Sequence, residues 1–237
     1  MAVVHGRRTK VYGQGVDLTS FLRTASLQRT ADVAESTPFN NDAKQYTVGM
    51  RDGVMNFEGL FDGSAAAVDE TLASILGSTS QKVFLVPIGV EALGSTAHGM
   101  SGDESTYDVE TSTDDVATVT AELQSSTGID RCLIHKVLGA VSADANGTAI
   151  DNAASSAYGG VGYLEVTAAS GGGTLTVKVQ HSVDNSVWAD LITFTGTTAI
   201  GAERKAVTGT VNRYTRAVHA ITAGSQTYVM AFGRKTF

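Results

Sequence analysis

The side chains that could bind a metal in this chain are few and widely spaced. The nitrogen and sulphur ligands are His5, His98, His135, His181, His219 and Cys132. Metal centres need such ligands at short, fixed spacings, for example two histidines four residues apart on a helix. None of these residues has that spacing to another ligand, so the sequence predicts neither a metal site nor a cofactor.

Nucleophilic catalysis also lacks support in the residue pattern. Ser101 lies in Gly99-Met100-Ser101-Gly102, which lacks the second-glycine spacing of a nucleophile elbow. The segment Gly160-Val161-Gly162 precedes a strand-like run, whereas a dinucleotide-binding loop opens a helix. The sequence therefore predicts a protein that is not an enzyme.

Carboxylates are the potentially catalytic groups that cluster most densely in the sequence, and the cluster lies in residues 103–115. The members are Asp103, Glu104, Asp108, Glu110, Asp114 and Asp115. Glycoside hydrolysis uses paired carboxylates but also needs a cleft and aromatic sugar platforms, and only Tyr107 is nearby. We interpret the segment as a solvated loop, with a loop that contacts another subunit as the alternative.

A second polar group, Asp144, Asn146 and Asp151, suggests calcium but does not match the known loop. It lacks the third ligand and the distal glutamate of an EF-hand. Asn146-Gly147 is typical of a tight turn, so we expect a turn there and no calcium site.

The composition bounds the class of protein. The chain has 237 residues, 42% of them hydrophobic, which is enough for one large or two ordinary folded domains. Residues 1–135 hold 9 Lys and Arg against 18 Asp and Glu, a net charge of −9, while residues 136–237 carry +2. The acidic half argues against grasping nucleic acid through its phosphates. No apolar run approaches the roughly 20 residues that cross a bilayer, so we expect no membrane partner.

Hydrophobic periodicity predicts a mainly β protein with one helix. Val68, Leu72, Ile75 and Leu76 fall on one helical face, which predicts a packed α-helix over about 65–76. Elsewhere apolar and polar residues alternate, as half-buried antiparallel strands require. The alternation is clearest in residues 117–124, 174–180 and 228–232.

A domain boundary is expected near residues 130–140. A strand over 116–124 closes a first unit, and the turn-rich Ser125-Ser126-Thr127-Gly128 follows it. The last hundred residues then contain seven or eight short strands, the pattern of an antiparallel β-sandwich. We therefore divide the chain into residues 1–138, a β-sandwich or barrel unit with the helix, and residues 139–237, the C-terminal sandwich.

The first 60 residues carry the most specific pattern. A turn at Gly13-Gln14-Gly15 precedes a strand over 21–29, a long polar loop over 30–52 and a strand over 54–61. A structureless loop of about 20 residues is uncommon in a compact domain and usually makes contacts. The distinctive residues are Asp17-Leu18-Thr19, Ser26-Leu27-Gln28-Arg29, Thr37-Pro38-Phe39, Tyr46 and Gly49 to Gly59. In order and spacing they resemble the N-terminal half of the major tail (tail tube) proteins of long-tailed, siphovirus-like bacteriophages.

A second resemblance covers residues 140–237. The turn Asp184-Asn185-Ser186, the following Trp188 and the segment 213–217 resemble C-terminal β-sandwich modules of phage structural proteins. If this module binds a sugar, the stacking candidates on its surface are Trp188, Tyr163 and Tyr214.

The resemblance implies a structural virion protein that self-assembles into stacked rings of six and so forms the tail tube, the conduit for DNA ejection. The implied partners are other copies of the chain, the tape-measure protein, and the tail terminator and baseplate proteins. DNA would pass through without specific binding. The implied location is the virion tail, after synthesis in the host bacterial cytoplasm.

The resemblance also implies two sets of site residues. The loop residues expected to contact other subunits or rings are Pro38, Phe39, Asn40, Lys44 and Tyr46. Glu58 and Glu122 are expected to face the tube lumen, where acidic side chains keep DNA mobile. The alternative function is a carbohydrate- or cell-surface-binding protein or a capsid decoration protein, built on the same β-sandwich.

Overall fold

A computed structural model of the protein describes residues 3–80 and 82–235. Within these ranges the chain is mainly β, with fifteen strands, one short α-helix and a 3-10 turn at Gly6–Arg8. The strands form a ten-stranded and a five-stranded antiparallel sheet, and no barrel closes among the described residues. No helix in the described ranges has the length and apolar character to cross a membrane.

The elements follow one another without long unstructured connections. In chain order they are β1 (Tyr12–Gly13), β2 (Val16–Asp17), β3 (Leu22–Glu35), β4 (Tyr46–Leu60), α1 (Val68–Ala73), β5 (Lys82–Pro87), β6 (Thr96–Glu110), β7 (Thr118–Val141), β8 (Ala145–Asn146), β9 (Ile150–Asp151), β10 (Gly160–Ser170), β11 (Leu175–Ser182), β12 (Ala189–Thr193), β13 (Gly201–Val207), β14 (Tyr214–Ile221) and β15 (Ser225–Arg234).

The first core lies between the sheet and α1. The predicted alternation in β7 is confirmed, because Val119, Ala121 and Leu123 are buried against Met55 and Phe57 of β4. The predicted turn at residues 13–15 is also confirmed. Its two central residues have positive φ, the conformation that a tight two-residue hairpin turn requires.

The helix is shorter than the expected span of 65–76. It begins only at Val68 because Ala66, at φ 57°, lies in the left-handed region and Ala67 is extended. After Ala73 the chain continues in tighter turns, in which Ile75 N–H donates to the Leu72 carbonyl. The predicted apolar face is nevertheless buried at Val68, Leu72 and Ile75, whereas Leu76, the fourth residue predicted for it, is exposed.

The prediction of a long polar loop over 30–52 is wrong. Strand β3 continues to Glu35 and β4 begins at Tyr46, and the two strands pair as far as Glu35 opposite Tyr46. Only residues 36–45 form the connecting turn. The segment is therefore a projecting β-hairpin, because its backbone hydrogen bonds are satisfied between its own two strands.

The expected turn at residues 125–128 is also wrong. Strand β7 runs through this segment from Thr118 to Val141, with Gly128 at φ 78° marking an irregularity. Its first half pairs with β4 and β6, and its second half pairs with β6 and β15. Strands on both sides of position 138 thus belong to one sheet, and the division into two domains stays a prediction.

The second unit is a sandwich around its own core. The five-stranded sheet supplies Val177 and Val179 of β11, and these pack with Leu164, Met230 and Phe232 of the larger sheet. Strands β10 and β15 form a central layer that is buried on both faces. Their opposite face, including Val161 and Val229, packs with Leu85 of β5.

Candidate functional site

The distal half of the β3–β4 hairpin projects from the body of the protein as an arm, residues 28–52. Every residue of the arm is exposed to solvent except Thr37, which is half-buried. At the tip Ser36 N–H donates to the Gln45 carbonyl at 2.8 Å, and Lys44 Nζ lies 3.0 Å from Glu35 Oε2. The arm is therefore held by local contacts and not by the core.

The arm carries an exposed apolar cluster. Tyr46 and Val48 alternate along β4, Val33 of β3 pairs with Val48, and Met50 follows at a register shift between the two strands. All four side chains are more than half exposed, with Met50 at 79%. A two-stranded ribbon is marginally stable by itself in water, and exposed apolar clusters mark contact surfaces.

The five residues predicted to make contacts all lie on this arm. Pro38, Phe39 and Asn40 form the turn, Lys44 bridges to Glu35, and Tyr46 begins β4. Phe39 is fully exposed. Which molecule these residues touch stays a prediction.

The two glutamates predicted to face a lumen lie on one solvent-facing surface of the sheet. In one row Thr24, Glu58, Thr120 and Asp108 pair across β3, β4, β7 and β6. In the next row the paired residues are Ser26, Asn56, Glu122 and Thr106. We call these eight residues the polar face. It carries three carboxylates and no lysine or arginine, and Ser105 Oγ donates to Glu122 Oε1 at 3.0 Å.

Both outer strands of this four-stranded region have a free edge. Strand β3 pairs only with β4, and residues 103–110 of β6 pair only with β7, among the described residues. Free edges expose backbone donors and acceptors that can pair with another chain. Because the order is β3-β4-β7-β6 and all three pairings are antiparallel, the two edge strands run in opposite directions.

The segment 103–110 was predicted to be a solvated loop, and that prediction is wrong for it. These residues form strand β6, and only 111–117 leave the sheet. Glu104 points to the core side, opposite Leu123, and neither carboxylate oxygen has a hydrogen-bond partner among the described residues. Burial raises the pKa of Glu104 to about 8. No local sequence pattern indicates this, since nothing near Glu104 distinguishes an inward-facing from an outward-facing acid.

The aromatic residues of the second unit have different environments. Trp188 is half-buried, and the guanidinium carbon of Arg216 lies 4.1 Å from the centre of its indole ring. The guanidinium carbon of Arg213 lies 4.9 Å from the centre of the Tyr214 ring. The prediction that Tyr163 belongs to the surface is wrong. Its ring is buried in the central layer, and its hydroxyl donates to Asp130 Oδ2 at 2.6 Å.

Two histidines among the described residues are buried, His135 of β7 and His219 of β14. His135 Nδ1 donates to the Leu133 carbonyl at 3.0 Å, which leaves Nε2 to accept from Thr215 Oγ1 at 2.8 Å. Burial lowers the pKa of His135 to about 4. With both nitrogens engaged inside the fold, this imidazole is structural.

The polar group considered for calcium is engaged in protein contacts. Asp144 accepts from Ile221 N–H at 2.8 Å, and Asp151 forms a paired contact with Arg213 at 2.6 and 2.7 Å. Within residues 3–80 and 82–235 no group of three His, Cys, Asp or Glu side chains is arranged to hold a metal ion.

No protein-family model matches the chain, and no curated protein matches it. Among solved structures it is similar to a chain in the tail of an empty gene transfer agent particle, at 16% identity and a TM-score of 0.44, over 54% of this chain and 97% of that one. It is also similar to the SPP1 Dit protein of a phage adsorption apparatus, at 10% identity and a TM-score of 0.38, over 95% and 99% of the two chains. A third match, at 10% identity and a TM-score of 0.29, is a chain of the phage p2 baseplate, over 97% and 99%. These likenesses are too distant to assign the chain to a family.

Proposed function

We propose that this protein is a structural subunit of a phage tail that assembles with copies of itself into rings and stacks those rings into a tube. The observation that carries the proposal is the four-stranded region with two free edges, one acidic face and one buried face. Its role is geometric and electrostatic, and the proposed location is the virion tail.

The free edges support ring formation. When copies are related by rotation about an axis parallel to the strands, a given strand runs in the same direction along that axis in every copy. Strand β3 of one copy then lies beside β6 of the next in antiparallel orientation, because the region contains an even number of alternating strands. Each joint satisfies backbone groups that are otherwise exposed, and a closed ring leaves none of these edges free. Six copies per ring is the number that the sequence resemblance implies.

The polar face supports a role as the lumen wall. In such a ring one side of the continuous sheet faces the axis, and the opposite side of this sheet is already occupied by α1 and the first core. The polar face would therefore line the channel with Glu58, Asp108 and Glu122. DNA is densely anionic, so an acidic wall avoids the counterion-release affinity that a basic wall would have. The tape-measure protein would occupy the same channel during assembly.

The arm supports contact between successive rings. It extends roughly 26 Å along the strand direction, at about 3.3 Å per residue for Gln28 to Glu35. No described residue covers its apolar cluster. A head-to-tail contact of this kind does not close on itself and so propagates into a filament.

Electron microscopy of the purified protein tests the proposal. The matched variant replaces residues 30–52 with Asn-Gly, so that Arg29 and Gly53, which are paired across the hairpin, are joined by a tight turn. We expect tubes from the unaltered chain, and single rings or short stacks from the variant. A monodisperse monomer at every protein concentration tested would contradict the tube, and full-length tubes from the variant would contradict the role of the arm.

A further inference from the structure

The two free edges carry opposite charge at the same end of the sheet. This end, the base, lies opposite the arm, where Leu22 pairs with Gly59, Gly59 with Val119 and Val119 with Val109. Arg23 follows Leu22 on the β3 edge, and Asp108 precedes Val109 on the β6 edge. The two charged residues therefore stand at the same level, on opposite sides of the subunit.

The β3 edge bears a basic cluster, Arg7, Arg8 and Arg23. Arg7 and Arg23 line one cleft of about 340 Å³ beside the start of β3, and no acidic residue lines that cleft. All three arginines are exposed, and none forms an ion pair with another described residue. Nothing within the described chain neutralises this cluster.

The β6 edge bears an acidic counterpart, which we call the acidic edge: Asp108, Glu110, Asp114 and Asp115. These four side chains are exposed and likewise form no ion pair in the described parts of the chain. They continue from the free part of β6 into the segment that leads to β7. Unpaired acids on an unpaired edge repel an identical edge and attract a basic one.

We propose that the basic cluster of one subunit docks on the acidic edge of the neighbouring copy in the same ring. This inference rests on the proposed function and names the contact that sets how β3 and β6 align. The occupant is a second copy of this chain, because the unpaired edges run in opposite directions and the opposite charges lie level with each other. Like-charge contact disfavours β3–β3 and β6–β6 pairing, so the charges select the ring over misaligned aggregates.

Charge reversal on one edge at a time tests the contact in the full-length chain. The first variant combines Arg7→Glu and Arg23→Glu, the second combines Asp108→Arg and Glu110→Arg, and a third carries all four changes. We expect the critical concentration for assembly to rise by at least about tenfold for either of the first two, because each joint then brings like charges together. The third variant, and an equal mixture of the first two, should assemble within about threefold of the unaltered chain, since complementary edges meet again.

A control is Lys178→Glu with Lys205→Glu, which changes net charge as much as the first variant but lies in the second unit, on β11 and β13. Both lysines form partly exposed ion pairs, with Asp190 and Glu203, so this control is at least as demanding on folding as the first variant. It should assemble like the unaltered chain. Circular dichroism would verify that every variant is folded.

The outcomes distinguish failure of the proposed contact from failure of the proposed tube. If the unaltered chain forms tubes and the first variant assembles at the same concentration, the contact is overturned while the tube stands. Loss of assembly that the four-residue exchange does not restore also overturns the pairing, because the arginines then face another surface. An unaltered chain that never assembles overturns both.

Discussion

The arm and the central layer are both antiparallel β-structure with the same kind of backbone hydrogen bonding, but they differ in how far their side chains are buried. The arm pairs two long strands whose side chains are nearly all exposed. In the central layer, residues 160–166 of β10 and residues 228–233 of β15 are buried on both faces. The same strand pairing thus occurs in the arm with neither face packed and in the central layer with both faces packed.

This difference separates what stabilises the fold from what is available for contact. Backbone hydrogen bonds contribute little net stability because water competes for the same groups. Burial of apolar area contributes about 25 cal/mol per Å², so the central layer stabilises the fold and the arm does not. The apolar cluster of the arm adds little to the stability of its own fold and remains available for contact.

The largest expected difference comes from removing one phenyl ring in each region. Phe232 is buried in the central layer, and Phe232→Ala should lower the free energy of unfolding by about 3–5 kcal/mol. Phe39→Ala, at the exposed tip of the arm, should change it by less than about 0.5 kcal/mol. Urea denaturation of the two variants as monomers measures both values. Similar losses would contradict the separation of roles.

A smaller effect is expected from acid. His135 packs edge-on against Phe232, with ring centres 5.8 Å apart, and burial lowers the pKa of His135 from 6.5 to about 4. Between these values the unfolded chain binds the proton and the folded chain does not. The contribution of His135 to stability is therefore complete above about pH 6.5, and about 3 kcal/mol of it is lost as the pH drops to 4.

The variant His135→Asn serves as the matched control for this pH dependence. It removes the titrating group, so the free energy of unfolding of the unaltered chain should fall by about 3 kcal/mol relative to that of the variant between pH 7 and pH 4, whichever of the two is more stable at pH 7. Equal slopes in urea titrations across this range would show that another group dominates.

The smallest effect is expected at the tip of the arm. Lys44 and Glu35 form an ion pair in which both side chains are largely exposed, at 67% and 44%. Solvent and salt screen such pairs, so Lys44→Ala should lower the free energy of unfolding by less than about 0.5 kcal/mol. Thermal melts of the monomer check this value. A loss above 1 kcal/mol would mean that the arm is coupled to the core.

Part of this molecule was predictable from short-range patterns. The turn at Gly13-Gln14-Gly15 and the buried alternation of Val119, Ala121 and Leu123 follow from local rules on turn chemistry and strand period. The arm was missed although Tyr46, Val48 and Met50 alternate with polar residues. That period-two signal is weak in a segment whose other residues are mostly polar, and a polar strand is easily taken for a loop.

Residue patterns were enough to predict that the chain is mainly β, that it carries one helix, and that its acidic residues concentrate in the first half. These properties depend on residue type and on spacing over a few positions. Only the folded chain shows that the helix is short, that Tyr163 is buried, that Glu104 faces the core while Glu122 faces solvent, and that β3 and β6 have free edges among the described residues. Those features depend on strand register and on pairing between residues far apart in the chain. A period of two says that alternate side chains share a face, but not which neighbour covers that face or which edge stays unpaired.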